Sequence, residues 1–195
     1  MITALGDWLA RKLALSGALP EGERELYSYG FFLLLSKGLF LAITAVFGAM
    51  WGVLWESIVF YGLFALLRGY AGGIHASREG TCQLWTTAAM LLSTGLIRWL
   101  EEPGREAMAL WLLLAGLIGV ALLSPLDSPE KPLAPEDRSL YRRRSLAVAL
   151  GAAGISLASA TLGWPVPLAI GAPALALEAL LLAIGTVKAQ KSAKT

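Results

Sequence analysis

Residues 31–67 read FFLLLSKGLF LAITAVFGAM WGVLWESIVF YGLFALL, thirty-seven positions that hold two charges, Lys37 and Glu56. An α-helix rises 1.5 Å per residue, so about 20 apolar residues cross the roughly 30 Å hydrocarbon core of a bilayer. The stretch is too long for one crossing and long enough for two, with a turn near Gly48–Glu56. Lys37 lies a turn or two inside the first span, where its flexible stem lets the ammonium snorkel back to the interface. The same pattern continues outward from this stretch. Residues 83–100 and 107–123 flank the short charged turn Glu101–Glu106, and residues 145–162 and 166–187 flank Trp164-Pro165-Val166-Pro167. Spans are thus expected near 31–49, 53–67, 83–100, 107–123, 145–162 and 166–187.

Composition agrees. Of 195 residues, 56% are hydrophobic and 15% charged, against about 25% charged in soluble globular domains. The charges crowd between the apolar runs, as they do when the solvent of those runs is lipid. Gly151, Gly154, Ser156 and Ser159 in the fifth span are small enough to let helix backbones approach closely in lipid. Residues 1–20 place Ile2, Leu5, Leu9 and Leu13 at helical spacing, with Trp8 beside them and Asp7, Arg11 and Lys12 elsewhere on the wheel. Such a helix is too short and too charged to span and is suited to the headgroup region, ending where Pro20 breaks it. The first 30 residues carry acidic and basic groups throughout, without the apolar core and small-residue cleavage site of a secretory signal, so the first span is expected to direct insertion. The fold class expected is an all-α polytopic membrane protein of about six transmembrane helices with an N-terminal interfacial amphipathic helix, forming one membrane-embedded domain over 1–195.

Basic residues fix the expected orientation. With the N-terminus in the cytoplasm, Arg11, Lys12, Arg24, Arg68, Arg78, Lys131, Arg138, Arg142, Arg143, Arg144, Lys188, Lys191 and Lys194 fall inside, and Arg98 and Arg105 fall outside. That asymmetry places both termini, and the segment between the second and third spans, in the cytoplasm. The net charge of +2 is modest and the basic residues flank hydrophobic runs, so they read as topology determinants. No nucleic-acid motif is visible.

The chain has one cysteine and one histidine. A single thiol excludes an intramolecular disulfide, and the pair is too small a set for a protein-only tetrahedral metal site, so neither metal nor other cofactor is expected. Both residues lie in Arg68-Gly69-Tyr70-Ala71-Gly72-Gly73-Ile74-His75-Ala76-Ser77-Arg78-Glu79-Gly80-Thr81-Cys82, at an expected membrane interface. Cysteine catalysis needs a thiolate and a group to take its proton, which imidazole does near neutral pH. In one continuous helix the seven-residue spacing would leave the two side chains about 10 Å apart along the axis. A bend is therefore required, and Gly80, with Gly72 and Gly73 upstream, supplies permissive backbone. If the third span starts near Thr81, Cys82 sits in its first turn, where free N–H groups and the helix dipole lower a thiol's pKa and can hold an oxyanion. The bland alternative is a small apolar cysteine and a solvated histidine.

The order Arg68, Gly73, His75, Cys82 resembles the motif of the accessory gene regulator B family of bacterial quorum-sensing peptide-processing enzymes. The segment Ser124-Pro125-Leu126-Asp127-Ser128-Pro129-Glu130-Lys131-Pro132-Leu133 is similar to that family's Pro-x-Asp followed by Lys-Pro and an aliphatic residue. The resemblance covers nearly the whole chain. It implies a membrane-embedded cysteine endopeptidase in which Cys82 attacks a short amphipathic propeptide and His75 carries the proton. A thioester acyl-enzyme then yields a thiolactone or lactone. Asp127 is the candidate to orient His75, with Glu79 nearer in sequence but read as a solvated charge. Arg68 either binds a substrate carboxylate or anchors the loop by its charge. Lys131, Arg138 and Arg142–Arg144 either attract an acidic peptide tail and anionic headgroups or retain the loop in the cytoplasm. Glu178, inside the sixth span, is a functional candidate because an ionisable group is costly there, or else it hydrogen-bonds a neighbouring helix. Expected partners are the propeptide and membrane lipid, with self-association open and no nucleic acid. The rival reading is a non-enzymatic membrane transporter or scaffold for peptide export, in which His75 and Cys82 are incidental.

Overall fold

The computed structural model describes residues 2–17, 20–73, 79–127 and 134–192. These form seven α-helices: α1 (Ile2–Leu15), α2 (Arg24–Trp51), α3 (Leu54–Ala71), α4 (Glu79–Leu100), α5 (Glu106–Leu123), α6 (Pro135–Thr161) and α7 (Val166–Ser192), with a 3-10 turn over Glu21–Glu23. The chain is an all-α membrane protein. A helix occupies each of the six expected spans, and α2, α5, α6 and α7 are long and apolar enough to cross a bilayer. Four helices therefore meet that measure rather than six. In α3 the 18 residues include Glu56 and Arg68, and α4 opens with a polar turn.

The described residues form two compact units, residues 1–43 and 44–195. In the first unit, α1 buries Gly6 and Ala10. A Cβ on Gly6 would come within 3.1 Å of the Ser28 carbonyl oxygen and the Phe32 nitrogen of α2, and the Ser28 hydroxyl donates to the Asp7 carboxylate. The small face of α1 is thus turned inward, leaving Leu5, Trp8 and Leu13 exposed, the amphipathic arrangement suited to an interface. α1 ends earlier than Pro20, because Gly17 adopts φ 74° and its N–H caps the Ala14 carbonyl.

In the second unit α7 is the central helix, packing on α5 most closely and also on α6, α3 and α4. Its core unites Leu175 and Leu182 of α7 with Leu67 of α3, Leu113 and Val120 of α5, and Ala149 and Ala153 of α6. Large apolar side chains such as Trp55, Trp85, Trp111, Ile118, Leu150 and Leu180 point outward, where lipid rather than water is their natural solvent. Small residues set the closest approaches. A Cβ on Gly116 would meet the Ala176 nitrogen at 2.6 Å, and one on Gly119 would meet the Ala179 methyl at 2.6 Å. Gly151 and Gly154, expected to do this in α6, face open space. The buried Ser156 and Ser159 do face inward, and the Ser156 hydroxyl donates to the Pro167 carbonyl at 3.0 Å.

The turns fall where the charge and glycine pattern put them. α2 and α3 are joined through Gly52 at φ 74°, α4 and α5 through Gly104 at φ 86°, and α6 and α7 through Gly163 at φ 80°. Helix starts differ. α2, α4 and α6 begin before their apolar runs, and the described polar residues that open α2 and α6 are exposed to solvent. Pro135 at the start of α6 has φ preset for this.

In the α4–α5 turn, one carboxylate oxygen of Glu101 is buried without a hydrogen-bond partner. Burial, and then the nearby charge of Glu56, raise the Glu101 pKa, with Arg98 opposing. A carboxyl group whose folded-state pKa is raised loses stability as pH climbs through and above its unfolded value. Glu101→Gln is therefore expected to raise the thermal midpoint in detergent at neutral pH by roughly one to a few degrees. The gain should vanish below about pH 4, where the wild-type carboxyl is protonated; a melting series across pH checks it.

Candidate functional site

The C-terminal turn of α3 has carbonyls without intrahelical partners, and near a membrane these need other donors. Three donors are supplied. The Gly72 N–H reaches back to the Arg68 carbonyl at 3.3 Å, and the Leu126 N–H donates to the Ala71 carbonyl at 2.9 Å. The Arg68 guanidinium donates to the Gly72 carbonyl at 3.0 Å. Gly72 and Leu126 form a parallel bridge, so the exit of α3 and the segment after α5 run side by side. The two sequence motifs, separated by more than fifty residues, thus meet through their backbones.

Glycine is required at both exit positions. Gly72 has φ 79° and ψ −150°, a region essentially closed to other residues, and its Cβ would lie 2.3 Å from the Leu126 carbonyl oxygen. Gly73 has φ 134°, and its Cβ would fall on the Arg68 guanidinium, 1.6 Å from Nη1. Gly80, expected to supply the bend, lies inside α4. The chain leaves α3 at Gly72–Gly73, the other two glycines read for the bend, and residues 74–78 lie outside the described residues.

The partly buried Arg68 side chain reaches toward α7. Its Nη1 lies 4.0 Å from a carboxylate oxygen of Glu178, whose side chain is fully buried in α7. Neither Glu178 oxygen has a hydrogen-bond partner, so the expected bond to a neighbouring helix is not made. Arg68 also bonds the carbonyl that follows α3 and lies over Gly73. Asp127 follows the bridge directly and is exposed, with its own electrostatic or hydrogen-bonding partner. Cys82 falls at the end of the first turn of α4, as expected for a thiol near free N–H groups. The Cys82 and Glu79 side chains, and His75 and Lys131 altogether, lie outside the described residues.

The basic run opening α6 has roles that a charge count does not reveal. Arg142 donates to the Ser124 and Ala121 carbonyls, each at 3.3 Å, capping α5. The Ser124 and Ser145 hydroxyls are 2.9 Å apart in the interior. The Arg144 guanidinium sits 5.6 Å from the Tyr70 ring centre, and Tyr70 meets Tyr141 edge-on. Beside the junction, Leu122–Pro125 with Arg138, Ser139 and Arg142 line an open groove of about 480 Å³. The exit of α3, the start of α4, the end of α5 and the start of α6 therefore share one end of this unit. That end carries the described candidate residues and a concentration of guanidinium groups. The missed signals were the spacing of Arg142 from the α5 terminus and the tyrosines at 70 and 141.

The family model described as accessory gene regulator B matches residues 4–184. The chain belongs to the accessory gene regulator B family. Family membership implies processing of a quorum-sensing propeptide, and with the apolar helices it makes this a multi-pass membrane protein. No curated protein and no solved structure matches the chain. In this member of the accessory gene regulator B family, the junction of the two motif segments depends on backbone conformations at the α3 exit. Gly72→Ala should cost about 2 kcal/mol or more from the forbidden φ, ψ and the collision with Leu126. Gly154→Ala, in open space on a helix, should be neutral or gain up to about 1 kcal/mol. Thermal unfolding of the two purified variants measures the contrast.

Proposed function

We propose that the chain is a membrane-embedded cysteine endopeptidase that cleaves a short amphipathic quorum-sensing propeptide near its C-terminal side and promotes cyclisation of the product. Besides family membership, one observation carries the reading: the backbone junction of Ala71–Gly72 with Leu126. This brings the segment leading to His75 beside the segment holding Asp127, at the end of the unit where Cys82 opens α4.

His75 takes the Cys82 thiol proton, and the thiolate attacks the scissile carbonyl. As the tetrahedral intermediate collapses, the imidazolium protonates the leaving amine and a thioester to Cys82 forms. N–H groups in the first turn of α4 hold the oxyanion in this reading. An internal thiol or hydroxyl of the substrate then attacks the thioester, giving its proton to His75, and releases a thiolactone or lactone with Cys82 regenerated. Exchange between thioesters is nearly balanced in energy, whereas hydrolysis is irreversible, so the site must hold water away from the acyl-enzyme. Asp127 orients His75. Lys131 and the groove beside Arg138 and Arg142 receive the acidic end of the propeptide. The orientation has both termini and the site in the cytoplasm, with lipid as the surrounding partner.

Cys82→Ala is expected to abolish cleavage of a cognate propeptide while leaving the protein inserted. With the propeptide's internal nucleophile changed to alanine, wild type should accumulate an acyl adduct that intact-mass spectrometry detects and hydroxylamine removes. Cleavage retained by Cys82→Ala would leave the transport or scaffold reading standing.

The orientation has its own test. In a Cys82→Ser background, Glu102→Cys should be labelled by an impermeant thiol reagent from outside intact cells and Arg143→Cys should not. The reverse pattern would overturn the cytoplasmic site.

A further inference from the structure

The groove of about 480 Å³ at the end of α5 has a charged wall and an apolar wall. Arg138, Ser139 and Arg142 of α6 form the first, and Leu122 and Leu123 of α5 form the second. Glu136 and Asp137 open the same helix as the arginines, but no aspartate or glutamate lines the groove. Among the described residues no ion pair engages either arginine. Positions 138 and 142 are one helical turn apart and so share a face of α6. Arg142 is held in place by its bonds to the Ser124 and Ala121 carbonyls. These use two of the five N–H donors of a guanidinium, whose fixed fork suits a phosphate or carboxylate. Two guanidiniums at one groove without a lining carboxylate attract an anion.

The apolar wall selects among anions. α5 is long and apolar enough to cross a bilayer, and the groove lies at its last turn, where hydrocarbon gives way to headgroups. From Leu122 an exposed stripe runs along one face of α5 through Ile118 and Ala115 to Trp111. At 1.5 Å per residue the stripe is about 16 Å long, close to half of a roughly 30 Å hydrocarbon core. That is the depth which an acyl chain of one leaflet fills. An acidic peptide tail makes no use of such a stripe, whereas a phospholipid uses the arginines and the stripe together.

We propose that this groove binds an anionic phospholipid, with its phosphodiester at Arg138 and Arg142 and an acyl chain along Leu122, Ile118 and Trp111. Anionic headgroups are favoured over zwitterionic ones, whose ammonium brings a positive charge to the two guanidiniums. Lipid binding here does not depend on the peptidase reading. Where that reading holds, lipid occupies the groove at rest and the acidic end of the propeptide enters by displacing it.

Native mass spectrometry of the full-length protein in a neutral detergent, with equal amounts of phosphatidylglycerol and phosphatidylethanolamine, counts the lipids retained. Wild type should keep one phosphatidylglycerol in about tenfold preference to phosphatidylethanolamine, and Arg138→Gln should lower its retention about tenfold, the scale of one charge-assisted hydrogen bond. Arg142→Gln should lower it at least as much. Because Arg142 also caps α5, Arg138→Gln, at an exposed side chain, decides the matter if the other variant does not fold. Arg143→Gln removes the same charge at a position outside the groove lining and should retain lipid as wild type does. Ile118→Ser, remote from the charges, should weaken retention without altering the headgroup preference.

Equal losses in Arg138→Gln and Arg143→Gln would reveal diffuse attraction to a basic surface and overturn the site. Equal retention of the two lipids would overturn it as well, and so would release of phosphatidylglycerol by millimolar inorganic phosphate, the mark of a plain anion site. A wild type that keeps no phosphatidylglycerol, yet binds a tetraglutamate peptide that Arg138→Gln does not, would leave the groove to the propeptide and overturn the lipid reading alone.

Discussion

The structure depends on how the last carbonyls of α3 are satisfied. A helix that stops near a membrane cannot leave them to bulk water at no cost. Here the Gly72 N–H serves the Arg68 carbonyl and the Leu126 N–H, from beyond α5, serves the Ala71 carbonyl, while the Arg68 guanidinium takes the Gly72 carbonyl just past the helix. Satisfying a local need in this way has a long-range result, since the Leu126 donor ties the region between α3 and α4 to the region between α5 and α6. It also explains two consecutive glycines in structural terms. One must adopt a conformation closed to other residues, and the other must leave room for a guanidinium.

Behind this junction stands α7, which supplies core contacts to four other helices and the carboxylate facing Arg68. Its closeness to α5 follows from Gly116 and Gly119, where backbones and small side chains occupy the space that larger residues would need. In lipid such close packing, and not exclusion of apolar surface from solvent, drives helix association. The outward Trp and Leu side chains and the inward Ser and Ala side chains are two sides of that one constraint. The serine pairs at 124 and 145, and the Ser156 bond to Pro167, add polar links where α5, α6 and α7 meet.

Basic residues beside apolar spans are topology determinants by their charge. Here Arg142 also caps α5 and Arg144 lies over Tyr70. Their long side chains serve as structural members as well as charges, which a tally of topology determinants does not distinguish.

The helical class, and among the described residues the turns between α2 and α3, α4 and α5, and α6 and α7, were legible in the sequence, because apolar runs of spanning length and glycine, proline or charge between them leave few other solutions. The motif order at Arg68, Gly73, His75 and Cys82, with Asp127 and Lys131 downstream, was legible as well and led to the family. Helix starts were not, since a hydrophobic run marks the part of a helix that meets lipid and is silent about the polar turns that extend α2, α4 and α6. Nor was the pairing of the α3 exit at Gly72 with Leu126, since nothing along the chain links residues so far apart. The small residues that hold the bundle together were misread at Gly151 and Gly154, because a small residue permits close approach without requiring it. Most of all, the partnership of Arg68 with Glu178 is invisible along the chain. The sequence says that each charge is expensive beside or within a span, but which charge answers which is decided when α7 packs against α3, by the geometry of that contact alone.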